Sequence, residues 1–250
     1  RVRPDVVVIV GDDHYELFSA ANMPAIAIYH GKEALSHEQA PYPKDHWRTT
    51  VAQLYAMDEV HTFPVHDELA AELVAGLMAR DFDIGSSAKV EDPRTMGFGH
   101  AFGFVVERIY RGKTIPMVPV MLNTYFPPNV PTPKRCYNLG MALKEAIEAS
   151  PKDLRVAVIG SGGLSHFIVE EELDHKLLNA FRTHDADVLR SIPVNALKSG
   201  SSEILCWIAA AGAFRGLPHQ VRTDPFWATR NWPGIHEQVR AALEVDADSD

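Results

Sequence analysis

The sequence predicts an α/β fold with a single domain, in which a mostly parallel or mixed sheet is covered by helices on both faces. Two short apolar runs rich in β-branched residues, Asp5–Val10 and Leu154–Ile159, are typical of strands buried on both faces. Segments with a helical spacing of apolar residues lie between the strand candidates, as a layered α/β domain requires. A chain of 250 residues with 46% hydrophobic and 23% charged residues is long and apolar enough to form such a core.

Three further segments are candidate strands and four are candidate helices. The strand candidates are Ala25–Tyr29, Ala101–Arg108 and Pro116–Leu122. The first helix can be capped by Asp67 and the last by Ser201 or Ser202. The apolar faces of the four helices are carried by Leu69, Leu73 and Leu77; by Leu139, Leu143 and Ile147; by Leu173, Leu177 and Phe181; and by Ile204, Ile208 and Ala211.

The predicted domain spans residues 1–222, and the rest of the chain has a different composition. Residues 223–250 begin with aromatic residues and Pro, continue with a short predicted helix containing Ile235, Val239 and Leu243, and end in an acidic tail. We assign this segment no role. The chain starts at Arg1 without Met and enters its first strand almost at once, so we expect the natural N-terminus to lie upstream.

Charge and cysteine content exclude several classes of function. The 24 Lys and Arg residues against 33 Asp and Glu residues give a formal net charge of −9, which argues against binding to nucleic acid or to an anionic membrane. The longest apolar run, Ile204–Phe214, is too short to span a bilayer. Cys136 and Cys206 have neither metal-ligand spacing nor a disulfide framework, and no leader pattern is present, so we expect a cytoplasmic protein.

Two residues are candidate metal ligands. His14 follows the first strand, and ligands of open α/β sheets gather beyond the carboxyl ends of the strands. Glu203 lies in the first turn of an apolar helix, where the helix dipole stabilises its charge and a metal would be a strong partner. They supply two of the three residues of a 2-His-1-carboxylate site, which Fe(II) or Zn²⁺ can occupy. The alternatives are a loop His paired with Asp12 or Asp13, and a simple helix-end acid.

Two other histidines are candidates for proton transfer. His166 follows the Gly-rich turn Gly160–Ser165, which matches neither a dinucleotide-binding loop, nor a P-loop, nor a nucleophile elbow. His100 lies among the Gly and Phe residues of segment 97–103, where an apolar wall would lower the pKa of the imidazole by desolvation. Such a pKa suits proton transfer near neutral pH. A passive His in a Gly-rich turn is the alternative for both.

Four motifs occur in an order that resembles one protein family. These motifs are Asp12–Tyr15, Gly97–His100, Ile159–His166 and Glu203–Ala213, and the segments Val118–Pro128 and Pro131–Tyr137 support them. Together they resemble the class III extradiol ring-cleaving dioxygenases, the family of the protocatechuate 4,5-dioxygenase β-subunit. The resemblance covers roughly Arg1 to Gly216.

The resemblance implies a non-haem Fe(II) enzyme that opens a catecholic ring with O₂. His14 and Glu203 would bind the iron, His166 would be the base near the substrate hydroxyl, and His100 would be a second acid–base or orienting residue. Residues 1–222 would be the catalytic domain. A protocatechuate- or gallate-like substrate is expected, and the partner would be a second copy of the chain or a small second subunit.

The family's other iron-binding His lies in a short strand near its N-terminus, and this sequence has no such motif. Either the chain lacks its natural start or the iron site is incomplete; His30, His61 or His66 could replace that ligand only after a rearrangement. Two other functions therefore stay open. One is a divalent-metal hydrolase on the same scaffold, and the other is a non-catalytic binding protein.

Overall fold

A five-stranded mixed sheet forms the centre of this computed structural model, which describes residues 3–39, 43, 46–110 and 112–217 and the backbone of residues 220–223 and 241–244. Its strands are β1 (Val6–Asp12), β2 (Ile26–Tyr29), β5 (Gly85–Ser87), β6 (Met117–Leu122) and β7 (Val156–Gly160), in the order β5-β2-β6-β1-β7. The pairs are parallel except that β2 runs antiparallel to β6. Two antiparallel pairs lie outside this sheet: β3 (Glu33–Leu35) with β4 (Thr62–Pro64), and β8 (Gln220–Thr223) with β9 (Ala241–Glu244).

Seven α-helices lie within the described part of the chain. They are α1 (Trp47–Leu54), α2 (Asp67–Met78), α3 (His100–Phe104), α4 (Pro133–Glu148), α5 (Glu171–Thr183), α6 (Ala186–Ser191) and α7 (Ile204–Ala213). A turn of π-helix, Val105–Ile109, continues α3, and 3₁₀ turns cover Val194–Ala196 and Ser199–Glu203. None of the described helices has the length and apolar character needed to cross a bilayer.

Strand β1 is buried along its whole length because helices cover both of its faces. Its even-numbered valines, Val6 to Val10, join a core cluster with the apolar faces of α2, α4 and α7. Val7 and Ile9 point the other way and join a second cluster that contains Ala101 and Phe102 of α3. The fold class predicted from the sequence, a mixed sheet with helices on both faces, is therefore confirmed.

Helices α4 and α7 pack so closely that their backbones meet. A Cβ atom at Gly140 of α4 would overlap the carbonyl oxygen of Ala209 in α7, so only glycine fits there without moving one helix. Cys136 and Cys206, one on each helix, are free and fully buried. The start of α7, which carries Glu203, is thus fixed to the core.

The parallel strands place three loops at one edge of the sheet. Asp12 at the end of β1 pairs with Leu122 at the end of β6, and Val10 pairs with Gly160 at the end of β7. The residues that follow these strands, Asp13–His14, Asn123–Tyr125 and Ser161–His166, therefore leave the sheet at the same side. This edge carries the candidate site.

Four local predictions are corrected by the structure. The predicted strand Ala101–Arg108 is α3 with its π-turn, because Ala101 and Phe102 pack as a helix against β1. Helix α2 is capped by His66, whose Nδ1 accepts the Leu69 amide at 3.3 Å, and not by Asp67.

The other two corrections concern α7 and the C-terminal segment. Ser201 and Ser202 lie in a 3₁₀ turn, and Glu203 itself is the N-cap residue of α7. Leu243 lies in β9 and not in a helix, whereas Ile235 and Val239 fall outside the described residues. The domain boundary at residue 222 stays a prediction.

Candidate active site

The predicted site residues form two groups at the carboxyl edge of the sheet. His14 and His100 lie together, with their ring centroids 4.8 Å apart. His166 and Glu203 form the second group, in which His166 Nε2 lies 3.0 Å from Glu203 Oε1. These four residues were predicted from the sequence, but their division into two pairs depends on tertiary contacts between distant segments.

The first group contains a third residue, Asp12, at the end of β1. The ligand atoms of Asp12, His14 and His100 all lie within 4.8 Å of one another. Asp12 is buried, with its Oδ2 at 2.8 Å from His14 Nε2 and its Oδ1 at 3.9 Å from His100 Nε2. The Thr124 hydroxyl donates to Asp12 Oδ2 at 3.3 Å. A buried carboxylate thus faces two imidazoles.

This donor set fits a divalent metal ion. Asp12 Oδ1 is buried and accepts no hydrogen bond within the described part of the chain, so it has lone-pair capacity left to use. Carboxylate and imidazole ligands together are suited to Fe(II) and to Zn²⁺. The three histidines considered as substitute ligands lie elsewhere: His30 bonds Ser86, His61 bonds Asp58, and His66 caps α2.

Carboxylates dominate the electrostatics of the first group. Burial alone would raise the pKa of Asp12, but its contact with His14 and the charge of His100 outweigh burial and lower it. Burial would lower the pKa of His14, and Asp12 reverses that effect as well. The pKa of His100 is raised to about 10, because Glu16, Asp12 and Glu203 outweigh the desolvation that would lower it. The prediction of a lowered His100 pKa is therefore wrong, since the sequence does not show these carboxylates beside it.

The second group is held by the turn that follows β7. His166 Nδ1 lies 2.7 Å from the carbonyl oxygen of Leu164, to which it donates, so Nε2 is directed at Glu203. The indole of Trp207 in α7 donates to the Gly162 carbonyl at 3.1 Å and ties this turn to the helix. The hydrogen bond that protonated His166 donates to Glu203 raises the pKa of His166, against a smaller effect of burial.

The two groups act on each other through their charges. Glu203 contributes to the raised pKa of His100, and Asp12 contributes to the raised pKa of His166. Tyr55, at the end of α1, lies edge-on to His100 with ring centroids 5.7 Å apart. Burial raises the pKa of Tyr55, and the charges of Glu203 and Glu16 add to that effect. The protonation of the histidines in one group therefore depends on the carboxylates of the other.

Aromatic side chains surround the imidazoles. The Tyr125 ring lies 4.8 Å from that of His14, and Tyr15 stacks on Phe126 at 3.7 Å. Phe167, which follows His166, exposes most of its ring to solvent. Flat apolar surfaces beside polar groups suit an aromatic ligand that carries hydroxyl groups.

Three residues of the site were missed or undervalued by reasoning from the sequence. Asp12 was considered only as one of two possible partners of His14, and Glu16 and Tyr55 were not singled out. Glu16 had one available signal: it is one of two acidic residues in the four positions that follow β1. Tyr55 had none, because it reaches His100 only through the packing of α3 against the end of α1.

The sequence matches the family model described as the catalytic LigB subunit of aromatic ring-opening dioxygenase over residues 1–229. A curated relative named 2,3-dihydroxyphenylpropionate/2,3-dihydroxicinnamic acid 1,2-dioxygenase, from Comamonas testosteroni, is 29% identical over 165 residues, or 65% of this chain and 43% of that protein. A protein of the same name from Mycobacterium ulcerans is 30% identical over 164 residues, or 65% of this chain and 44% of that protein. Gallate dioxygenase from Pseudomonas putida is 35% identical over 101 residues, or 40% of this chain and 28% of that protein.

The matched region spans less than half of the length of each of these curated relatives. The family model, in contrast, covers most of the present chain, including all four predicted site residues. The chain therefore belongs to the family of the catalytic LigB subunit of aromatic ring-opening dioxygenases.

Proposed function

We propose that this chain is the catalytic part of a non-haem Fe(II) extradiol dioxygenase, which opens a catecholic ring and places both atoms of O₂ in the product. The observation that carries the proposal is the presence of two imidazole–carboxylate groups at one edge of the sheet, Asp12–His14–His100 and His166–Glu203. Family membership and the aromatic surroundings of the site support it.

His14 and Glu203 are the residues that we propose to hold the iron. Asp12 Oδ2 lies 2.8 Å from His14 Nε2 and would fix the orientation of the ring through that nitrogen, as carboxylates commonly do for metal-bound imidazoles, which leaves Nδ1 of His14 for the iron. Fe(II), when bound, supplies open positions for catecholate and O₂ and a path for electrons between them.

His166 is suited to accept the proton of the substrate hydroxyl. Its Nδ1 donates to the Leu164 carbonyl, so in the neutral ring Nε2 carries the free lone pair. A catechol binds a cation best as an anion, so removal of this proton favours binding. Nε2 would hold the proton beside the Glu203 carboxylate, which stabilises the charged ring.

His100 is suited to return a proton during ring opening. Its Nδ1 donates to Glu16, and its Nε2 is turned toward Asp12 and the rest of the site. The rings of Tyr55 and Tyr125 flank the two imidazoles of the first group. Two histidines with different partners can thus serve as acceptor and donor.

The relatives suggest the substrate class. Their names refer to gallate and to 2,3-dihydroxyphenylpropionate, which are both catechols that carry a carboxylate. We infer a catechol with an acidic substituent, of the protocatechuate or gallate type. We further infer a cytoplasmic location, supported by two buried free cysteines, and assembly with a second copy or a small second subunit.

The test is O₂ consumption with a defined metal. The protein is freed of metal, loaded anaerobically with Fe(II), and mixed with protocatechuate, gallate or 2,3-dihydroxyphenylpropionate. We expect one O₂ consumed per ring opened and a coloured ring-fission product. Zn²⁺ should occupy the site without turnover, because it has no redox chemistry. Equal O₂ consumption with Zn²⁺ would overturn the proposal, whereas turnover with Zn²⁺ that consumes no O₂ would favour a hydrolase.

A further inference from the structure

We propose that Glu16 is the positioning residue of His100, holding its imidazole so that Nε2 faces the candidate active site. The catalytic consequence rests on the proposed function, in which His100 handles a proton. The contact itself does not, because it can be measured in protein without metal or substrate.

A single carboxylate oxygen receives both polar hydrogens at this end of His100. Glu16 Oε1 accepts from His100 Nδ1 at 2.7 Å and from the His100 backbone amide at 3.2 Å. The proton on Nδ1 is present in the charged ring and in one neutral tautomer, so the same orientation serves both forms. The opposite nitrogen, Nε2, is then directed at Asp12 Oδ1, 3.9 Å away.

Both the amide and the carbonyl of Glu16 are hydrogen-bonded, which fixes the direction from which its carboxylate reaches His100. The Glu16 amide donates to Asp13 Oδ1 at 3.1 Å, and the Glu16 carbonyl accepts from the Gly97 amide at 2.7 Å. Asp13 is itself buried and also accepts the Leu17 amide at 2.7 Å. The loop after β1 is thereby tied to the segment that begins α3.

The position before His100 leaves room for this carboxylate. A Cβ atom at Gly99 would overlap Glu16 Oε2, so any side chain there would push Glu16 away from the ring. Glu16 Oε2 is buried and makes no hydrogen bond within the described part of the chain. A buried oxygen without a partner, such as Oε2, lowers the stability of the protein. We therefore attribute the presence of this carboxylate to the contacts of Oε1 with His100.

Helix capping is the competing explanation. Glu16 Oε1 accepts the first amide of α3, and Gly99, the N-cap residue, has no side chain to do so. A cap and a positioning residue both lose stability on substitution, so a lower melting temperature alone does not separate them. The test must therefore report on the His100 ring.

The first experiment observes the ring directly. Histidine-labelled protein without metal is studied by NMR as wild type, Glu16→Ala and Glu16→Gln, with resonances assigned through His100→Gln. We expect a downfield, slowly exchanging Nδ1 proton of His100 in the wild type, its loss in Glu16→Ala, and its retention with an upfield shift in Glu16→Gln. The Nδ1 proton of His166, bonded to the Leu164 carbonyl, should not change.

The second experiment measures turnover of the Fe(II)-loaded enzyme. Glu16→Ala should lower kcat by about 10–100-fold with little change in KM, and Glu16→Gln should restore part of the loss. Glu38→Ala is the matched control, because Glu38 is a partly exposed carboxylate that lies 3.5 Å from Arg94. Gly99→Ala should lower kcat in the wild type but add nothing in the Glu16→Ala background, since the overlap is then removed.

The outcomes separate the explanations. A His100 Nδ1 signal that survives Glu16→Ala, or an unchanged kcat with a lowered Tm, would leave Glu16 as a helix cap and overturn the proposal. If no catechol is turned over, the proposed function fails, while the NMR result still decides whether Glu16 orients His100.

Discussion

The two histidines of the site that are not assigned to iron are held in similar ways by different partners. In both, Nδ1 donates a hydrogen bond of 2.7 Å and Nε2 is left to face the site. The acceptor is the Leu164 carbonyl for His166 and the Glu16 carboxylate for His100. Orientation is therefore equally defined in the two rings, and the charge of the partner is what differs.

That difference bears on the direction of proton transfer. A carbonyl stabilises the Nδ1–H tautomer without adding charge, whereas a carboxylate also stabilises the protonated ring. His100 has Glu16 in contact and Asp12 close by, whereas His166 has only Glu203 in contact, a residue we assign to the metal. The comparison supports His166 as the proton acceptor and His100 as the donor.

Of the substitutions considered, Glu203→Gln should have the largest effect, which is loss of bound iron. The change keeps the shape of the side chain and removes its charge, so bound iron should fall to a small fraction of the wild-type content. Folding should change little, because the interaction of this charge with the helix start contributes only ~0.3–1 kcal/mol. Metal analysis beside a thermal melt checks both. Glu171→Gln, a first-turn acid of α5, is the control. An iron-replete Glu203 variant would make Glu203 a helix-end acid.

His166→Ala should remove the acceptor and leave the metal in place. We expect kcat to fall by about 10²–10⁴-fold, the usual contribution of a positioned base, with iron content retained. The residual rate should rise with pH, because more of the catechol then ionises without help. A pH–rate profile and metal analysis measure this. His175→Ala, at an exposed position of α5, should behave as wild type. Loss of iron in His166→Ala would instead make His166 a ligand.

Asp12→Asn tests whether Asp12 supports metal binding by the first group. The amide keeps the size of the side chain but holds the His14 ring less strongly, so we expect iron affinity to fall by about 10–100-fold. Titration with Fe(II) under anaerobic conditions measures the change. If Asp12→Asn abolishes metal binding while Glu203→Gln retains it, the ion belongs to the Asp12–His14–His100 group and the ligand assignment must be revised.

Tyr55→Phe should have the smallest effect. It bears on the comparison of His100 with His166 because the charges of both Glu203 and Glu16 act on Tyr55. Removing one hydroxyl that can bond the substrate should raise KM by roughly 2–10-fold, equivalent to about 0.5–1.5 kcal/mol, with kcat unchanged. Steady-state kinetics measures this. Tyr110→Phe is the control, since the Tyr110 hydroxyl is buried and makes no hydrogen bond within the described part of the chain. An unchanged KM in Tyr55→Phe would exclude Tyr55 from substrate binding.

The sequence predicted those parts of the molecule that local chemistry determines. The β-branched run of β1 and the apolar run of α7 are buried whatever their neighbours, so both elements were recognised. The position of His14 followed from the rule that ligands gather beyond the carboxyl ends of strands. These are properties of one segment at a time.

Two of the failures have the same cause, which is dependence on contacts between residues that are distant in the chain. Residues 101–108 have the β-branched and aromatic character of a strand, but packing of Ala101 and Phe102 against β1 favours a helix. The raised pKa of His100 depends on Glu16, which is 84 positions away in the chain. No spacing rule relates two such residues, so the pairing required the structure.

The contact between α4 and α7 at Gly140 has a consequence for amide hydrogen exchange. Helices whose backbones touch in a fully buried interface open together, as one cooperative unit near the global free energy of unfolding. Glu203 is the N-cap of α7, the helix that has this protection, whereas the loop of residues 13–18 depends on a few hydrogen bonds to Asp13. Deuterium should therefore enter the Glu16 side of the site long before it reaches the helix behind Glu203.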